Sequence, residues 1–212
     1  MRSYKQYCAV ARALDAIGDR WSLLVVRELM IRGASRYKDL KENLPGIATN
    51  VLAERLRDLE DVGVVARVAP VPPVATSLFR LTSRGESLMP VLRELGRWGG
   101  QFMAERSGDD VFLSHWLVMP AELHLVDHRP DDPPVRVAIR TGDQPLTVDA
   151  ADGLVRVTPG EAPAPDAAVN GPPNLILAML VGKLSIAGAQ LAGLEIEGDI
   201  SAVERIMPAP NA

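Results

Sequence analysis

Thr49, Asn50, Ala53 and Arg57 recur at helical spacing in one run of the chain. Small, polar and basic side chains so placed near a helix start suit base edges and phosphates in a DNA groove. Leu52, Leu56 and Leu59 take the opposite face of the same run and can pack inward. Arg36, Lys38, Arg67 and Arg80 stand on either side of the run, with Tyr37 between the first two. They are candidate phosphate contacts, which position a protein on a duplex without specifying sequence. An exposed Thr, Asn or Arg also suits a plain solvated face, and the cations suit ordinary surface charge. Arg55 reads better as the partner of Glu54 or Asp58 in an internal ion pair than as a phosphate contact.

The elements that must hold these residues run from Ser35 to Arg80. A short helix from Ser35 leads through the turn Leu44-Pro45-Gly46-Ile47 to a longer helix over Thr49–Leu59. Gly63 caps that helix, and two strands, Val64–Ala69 and Ser77–Thr82, flank a loop carrying Pro70, Pro72 and Pro73. The pattern is a helix-turn-helix with a β-hairpin wing. Upstream, Tyr7, Val10, Ala11, Leu14 and Ile17 predict a helix over about 5–17. A second is predicted from Trp21 to Arg32, with Asp19 as its cap and Trp21, Leu24, Val25 and Leu29 inward. Downstream, Ser83 with Glu86 resembles a capping box, so a helix is expected from there to Glu105, bent at Pro90. Its stripe of Leu88, Val91, Leu92, Leu95, Trp98, Phe102 and Met103 is longer than a small core needs, which points to a partner surface.

Composition bounds the rest. The chain has 212 residues, 47% of them hydrophobic, with no apolar run long enough to span a membrane and no signal-peptide pattern. A cytoplasmic protein is the expectation. The net charge of −4 hides a split: residues 1–106 hold 17 Lys+Arg against 12 Asp+Glu, and residues 107–212 hold 6 against 15. Such asymmetry suggests two domains with different partners, the basic one suited to a polyanion. Cys8 is the single cysteine, so no intrachain disulfide can form. His115, His124 and His128 lack an acidic or thiol cluster and read as packing or surface residues, so no metal is expected. With no Gly-rich phosphate loop and no nucleophile elbow, neither enzymatic activity nor a cofactor is expected.

Arg106–Asp110 reads as a linker. Beyond it, Val111–Leu125 is ambiguous between helix and strand. Val135–Arg140, Pro145–Asp149, Gly153–Thr158 and Ala167–Asn170 read as short strands, with Asp152-Gly153 as a hairpin turn. An almost wholly apolar helix over Asn174–Val181, a strand at Gly193–Gly198 and a helix at Ala202–Met207 complete an α+β domain with an antiparallel sheet. A helix apolar on every side must be buried on every side.

Residues 8–98 resemble the HxlR-type winged-helix transcriptional regulators, relatives of the MarR group. The matching positions are Cys8, Trp21, Arg36 to Leu40, Leu44-Pro45-Gly46-Ile47, Leu52, Arg55-Leu56, Leu59, Gly63, Arg67, Leu81-Thr82, Gly85 and Trp98. Phe79 stands where the family usually has Tyr, Ala48 where a capping Ser is usual, and Asn50 where a basic residue is common. The resemblance implies a homodimer on a pseudo-palindromic operator in double-stranded DNA, and a position for Cys8 that some members use in redox sensing. Residues 111–207 resemble the sterol-carrier-protein-2-like fold, through the strands from Val135 to Thr158, the helix Leu175–Val181 and the segment Gly193–Asp199. That resemblance implies an apolar tunnel for a small-molecule effector, for which Trp116, Ile176, Leu177, Leu180, Val181, Leu184 and Leu191 are the candidate lining.

The expectation is therefore a winged helix-turn-helix over residues 1–106, binding DNA and dimerising. An α+β sterol-carrier-protein-2-like domain over residues 107–212 would take an apolar ligand or serve assembly. Two rivals remain: an apolar-ligand or lipid carrier with a vestigial winged domain, and a regulator whose second domain only mediates assembly.

Overall fold

A computed structural model describes residues 3–69, 76–104 and 110–209. The chain divides into two compact units, Met1–Arg106 and Ser107–Ala212. Pro70, Pro72 and Pro73 of the wing loop lie outside the described residues, as do Glu105 and the expected linker apart from Asp110.

The first unit runs α1 (Ala9–Ile17), α2 (Ser22–Arg32), β1 (Ser35–Arg36), α3 (Tyr37–Asn43), α4 (Thr49–Asp61), β2 (Val65–Val68), β3 (Leu78–Leu81), α5 (Ser83–Glu86) and α6 (Met89–Gly99). A 3-10 turn, Gly100–Ala104, follows α6. Leu52, Leu56 and Leu59 of α4 are buried together with Val25, Val26 and Leu29 of α2 and Leu40 of α3, so the apolar stripes meet in one core. Gly63 ends α4: its φ of +70° lets the Val64 amide turn back onto the Leu59 carbonyl at 2.9 Å. β2 and β3 pair antiparallel as the wing.

Several local expectations are corrected. α1 starts at Ala9 rather than near residue 5, and only Ala11 and Ile17 of its stripe are buried; Tyr7, Val10 and Leu14 face outward. Asp19 does not cap α2, whose N-cap is Trp21; the Asp19 carboxylate pairs with Arg55 of α4 instead. The helix expected from Ser35 starts at Tyr37, with Arg36 and not Ser35 at its N-cap. With Arg36, Ser35 forms β1, a third strand on the outer side of β3, and its hydroxyl bonds the Gly33 carbonyl at 3.1 Å. Asp39 takes over the start of α3, accepting from the Arg36 amide at 3.1 Å. The helix expected from Ser83 to Glu105 is interrupted at Ser87-Leu88. Pro90 lies in the first turn of the new helix α6, where its missing N–H leaves no bond unmade, rather than bending one long helix. The oxygen at the start of α5 comes from Thr82, which accepts from the Gly85 amide at 3.2 Å, rather than from Ser83.

The second unit opens with a 3-10 turn (Ser114–Leu117) and α7 (Val118–His124). It continues with β4 (Val135–Arg140), β5 (Leu146–Ala151), β6 (Leu154–Pro159), β7 (Ala167–Asn170), α8 (Pro173–Leu180), α9 (Ile186–Leu191), β8 (Glu195–Gly198) and α10 (Ile200–Arg205). The sheet order is β6-β5-β4-β7-β8. It is mixed rather than antiparallel, because β7 pairs parallel with β4. The segment 160–166 carries the chain from the end of β6 back to the start of β4, past β5. There the Asp166 amide bonds the Arg136 carbonyl at 2.8 Å, and the Ala162 amide bonds the Thr147 hydroxyl at 2.9 Å. Asp152 and Gly153 both have positive φ (+53° and +76°), as a type I′ hairpin turn between β5 and β6 demands. On α8, Ile176, Met179 and Leu180 are buried, whereas Leu175 and Leu177, like Val181 at its C-cap, are half-buried, so the helix is not enclosed on every side.

An ion pair ties this unit together. Arg205 of α10 and Asp127 are both buried and joined by two hydrogen bonds of 2.7 and 3.1 Å. Arg205 also donates to the Pro133 carbonyl at 2.6 Å and the Asp132 carbonyl at 3.3 Å. Asp127 accepts from the amides of Arg129 at 3.0 Å and Gly153 at 3.2 Å. One carboxylate and one guanidinium thus join the segment after α7, the hairpin turn and the last helix.

Candidate nucleic-acid interface

α3 and α4, joined by Leu44-Pro45-Gly46-Ile47, make the helix-turn-helix. Leu44 and Ile47 bury their side chains and fix the turn from beneath. On α4, Thr49, Asn50 and Arg57 are exposed, with Ala53 half-exposed between them, and Glu54 and Asp61 are exposed as well. The Arg57 Nε reaches only its own helix, at 3.3 Å from the Ala53 carbonyl, so its guanidinium stays on the open face. Arg55 is on the other side. It is buried and bonded to Glu54 at 2.8 Å and Asp58 at 2.9 Å, with Asp19 as a third carboxylate. The internal ion pairing expected of Arg55 is therefore met, by one more partner than the sequence suggests.

The flanking cations differ in how free they are. Arg36 and Arg80 are exposed, one on β1 and the other on β3, on the same small sheet. Lys38 is exposed and lies 3.6 Å from Glu42, a surface pair that holds it weakly. Arg67 is more engaged: its guanidinium lies over the Phe79 ring at 4.9 Å and its Nε is 3.5 Å from Glu60. Tyr37 is half-buried, and its hydroxyl donates to the Thr49 carbonyl at 2.6 Å. Lys41, which sequence alone does not single out, donates to the Ile47 carbonyl. Its position four residues after Tyr37, on the same helix face, is the signal that could have found it. Arg84 is another such residue, bonded to the Val62 carbonyl at 2.9 Å at the foot of the wing.

Cys8 is exposed at the N-cap position of α1. The backbone amides of Ala11 and then Val10 hold its thiol below the ordinary value by favouring the thiolate. In the second unit, Trp116, Leu177, Val181 and Leu184 are half-buried, and Ile176 and Leu180 are buried. Leu191 is 91% exposed on α9, so it does not line an enclosed space as expected. The resemblance and its apolar character suggested it, and it ends a short helix, α9, that the apolar pattern does not reveal. His128 bonds the Met207 carbonyl at 2.9 Å, and His115 is buried in the 3-10 turn that opens the unit. No helix among the described residues is long and apolar enough to cross a membrane.

Comparison with known proteins agrees with this geometry. Residues 16–107 match the family model described as HxlR-like helix-turn-helix. The HTH-type transcriptional regulator YvaP of Bacillus subtilis is 37% identical over 93 residues, covering 43% of this chain and 84% of that protein. YodB of Bacillus subtilis, also an HTH-type transcriptional regulator, is 38% identical over 91 residues, covering 42% of this chain and 80% of YodB. The solved structure of reduced YodB is 34% identical with a TM-score of 0.41, covering 48% of this chain and 100% of that one. The open face of α4, the wing beside it and relatives matched along most of their own length lead to one assignment: this chain belongs to the HxlR-like helix-turn-helix family of DNA-binding transcriptional regulators.

Proposed function

We propose that the chain acts in the cytoplasm as a homodimer on a pseudo-palindromic operator, with residues 1–106 supplying both the DNA contacts and the dimer seam. In this reading Thr49, Asn50, Ala53 and Arg57 face base edges, and Arg36, Lys38, Arg67 and Arg80 lie along phosphates. Tyr37 belongs to the same surface through its bond to Thr49. The observation that carries the reading is the division of α4 into a buried leucine face and an exposed face of Thr49, Asn50 and Arg57. The excess of cations in residues 1–106 supports it. A two-fold dimer would set two such helices about 34 Å apart, one turn of B-DNA.

Binding of the full chain to its own promoter region should weaken steeply as salt rises, since phosphate contacts release counterions. Arg80→Ala is expected to weaken all duplexes alike and to lower the slope of log K against log salt by about 1. Arg57→Ala should instead change the preferred sequence, with a loss of about tenfold on the best site. Electrophoretic mobility shifts at several salt concentrations check both. A full chain that is folded but binds no duplex at low salt overturns the reading.

For residues 107–212 we propose a sterol-carrier-protein-2-like domain that takes an apolar small molecule. Its support is α8, nearly all apolar yet only half-buried at Leu175 and Leu177, with Val181 at its C-cap, Trp116 and Leu184 also half-buried. A ligand can regulate only by binding the DNA-competent and incompetent states with different affinity. Long-chain and aromatic apolar compounds should raise the unfolding temperature of the full chain, and those that do should shift operator affinity. Binding without that shift makes the domain a carrier; no binding makes it an assembly module. For Cys8, the exposed thiol and its lowered pKa favour a redox role.

A further inference from the structure

The recognition helix α4 begins without a cap of its own. Its N-cap residue is Ala48, which has extended backbone angles and no side-chain oxygen to offer the first amides. The carbonyls on either side of Ala48 are instead held from α3. Tyr37 donates its hydroxyl to Thr49 at 2.6 Å, and Lys41 donates to Ile47. Tyr37 and Lys41 are four residues apart, so both side chains leave the same face of α3. α3 is itself fixed at both ends. Leu40 is buried, Asp39 bonds the Arg36 amide at 3.1 Å, and the Asn43 side chain bonds the Asp39 carbonyl at 2.8 Å.

We propose that Tyr37 and Lys41 are positioning residues for sequence reading. They clamp the two peptide carbonyls that flank Ala48 and so set where Thr49 and Asn50 stand. This rests on the DNA-binding reading of α4 and deepens it. A tyrosine beside two cations, Arg36 and Lys38, would otherwise be taken for a phosphate contact. Its hydroxyl proton is committed to Thr49, and one hydroxyl has one proton to donate. The clamp acts on geometry, and sequence discrimination depends on side chains meeting base edges in register, whereas phosphate attraction tolerates small displacements. Loosening it should therefore lower affinity for the preferred sequence and leave general affinity for DNA in place.

The test uses the full chain and two duplexes of about 30 base pairs, enough for two half-sites. One is enriched by the wild-type chain from a randomised pool; the other is a scrambled sequence of equal composition. Tyr37→Phe keeps the ring and removes the hydroxyl. It is expected to weaken binding to the enriched duplex about tenfold, with binding to the scrambled duplex, and its salt slope, within about twofold of wild type. Lys41→Met and Lys41→Gln lose the same charge, but only Gln keeps a donor. The ratio between the two duplexes should fall for Met and be restored for Gln. If Tyr37→Phe lowers the salt slope and weakens both duplexes alike, the hydroxyl is a phosphate contact and the proposal is overturned. An unchanged ratio in Tyr37→Phe overturns it too. If Tyr37→Phe does not fold, the two Lys41 variants decide, and equal ratios for them overturn the clamp. A wild-type chain that enriches no sequence removes the DNA-binding reading itself, an outcome distinct from all of these.

Discussion

Trp98→Asp is expected to leave the regulator monomeric and to lower its affinity for a two-half-site operator by about a hundredfold. Val91, Leu95 and Trp98 of α6 are 41%, 44% and 65% exposed, and their spacing puts them on one face. Phe102 and Met103, 62% and 63% exposed, continue the surface, with the Phe102 ring edge-on to Trp98 at 5.0 Å. Tyr7, just before α1, and Val10 and Leu14 on it are further exposed apolar side chains. Exposed apolar surface on this scale is rare on a monomer and marks an interaction site, for which a second subunit is the proposed occupant. In a two-fold dimer every residue is counted twice. Burying a large aromatic side chain contributes about 3 kcal/mol. Placing a carboxylate there removes that gain twice and adds the desolvation of two charges. Sedimentation velocity reads the result directly. A Trp98→Asp chain that still sediments as a dimer at micromolar concentration would reject α6 as the seam. Binding to a single half-site should change little, because α4 is untouched.

The other large effect belongs to the buried pair in the second unit. Asp127→Ala leaves the Arg205 guanidinium buried with no carboxylate, and removing one partner of such a pair costs about 3–5 kcal/mol. For a unit of this size the unfolding temperature should fall by more than about 10 °C. Hydrogen exchange should quicken across 107–212, first at the hairpin turn and in α10, which the pair joins. An Asp127→Ala chain with wild-type exchange in that unit would mean the pair is dispensable. The same carboxylate fixes an acid response. Hydrogen bonding from Arg205, opposed by burial and helped by the Arg129 and Gly153 amides, pulls its pKa from 3.8 down to about 2. A pKa lowered by folding means the stability is fully present above the unfolded value and is lost as pH falls through the folded one. Unfolding of this unit should therefore steepen between about pH 4 and pH 2, and Asp127→Asn should lack that steepening.

How far the fold was legible depends on how local its cause is. The leucine face of α4 follows from spacing alone, and so does the turn at Asp152-Gly153, where two adjacent residues carry the geometry. β4 and β7 were legible with their ends because each is a short apolar run bounded by turn residues. β1 was not: two residues have no period, and they are extended only because β3 offers an edge to pair with. The parallel partner of β4 was hidden for a similar reason, since hairpin signals describe sequential neighbours and this pairing crosses over two strands. The break before α6 was half visible in Pro90, but whether a proline bends a helix or starts one depends on the residues before it, and Ser87-Leu88 form a turn here. At the candidate interface, the exposed face of α4 was legible as chemistry. The work done by Tyr37 was not, because its acceptor is a backbone carbonyl, which every residue has. Asp127 and Arg205 are 78 residues apart and are typical surface residue types, so nothing local marks them as a pair.

The separation of faces on α4 has a consequence for how such proteins diverge. Leu52, Leu56, Leu59 and Arg55 hold the helix from within, and none of them points toward the open side. Thr49, Asn50 and Arg57 carry almost none of that holding, so codons at these three positions can change with little loss of folding stability. If this face reads DNA as proposed, a duplicated copy can drift to a new set of target genes by a few such changes while the fold beneath is conserved. The reverse route is closed, since a change at Arg55 would leave Asp19, Glu54 and Asp58 facing one another with no cation between them. On the proposed reading, new specificity is therefore expected to accumulate on the surface of one helix, and paralogues should differ most at Thr49, Asn50 and Arg57 and least at the buried positions beside them.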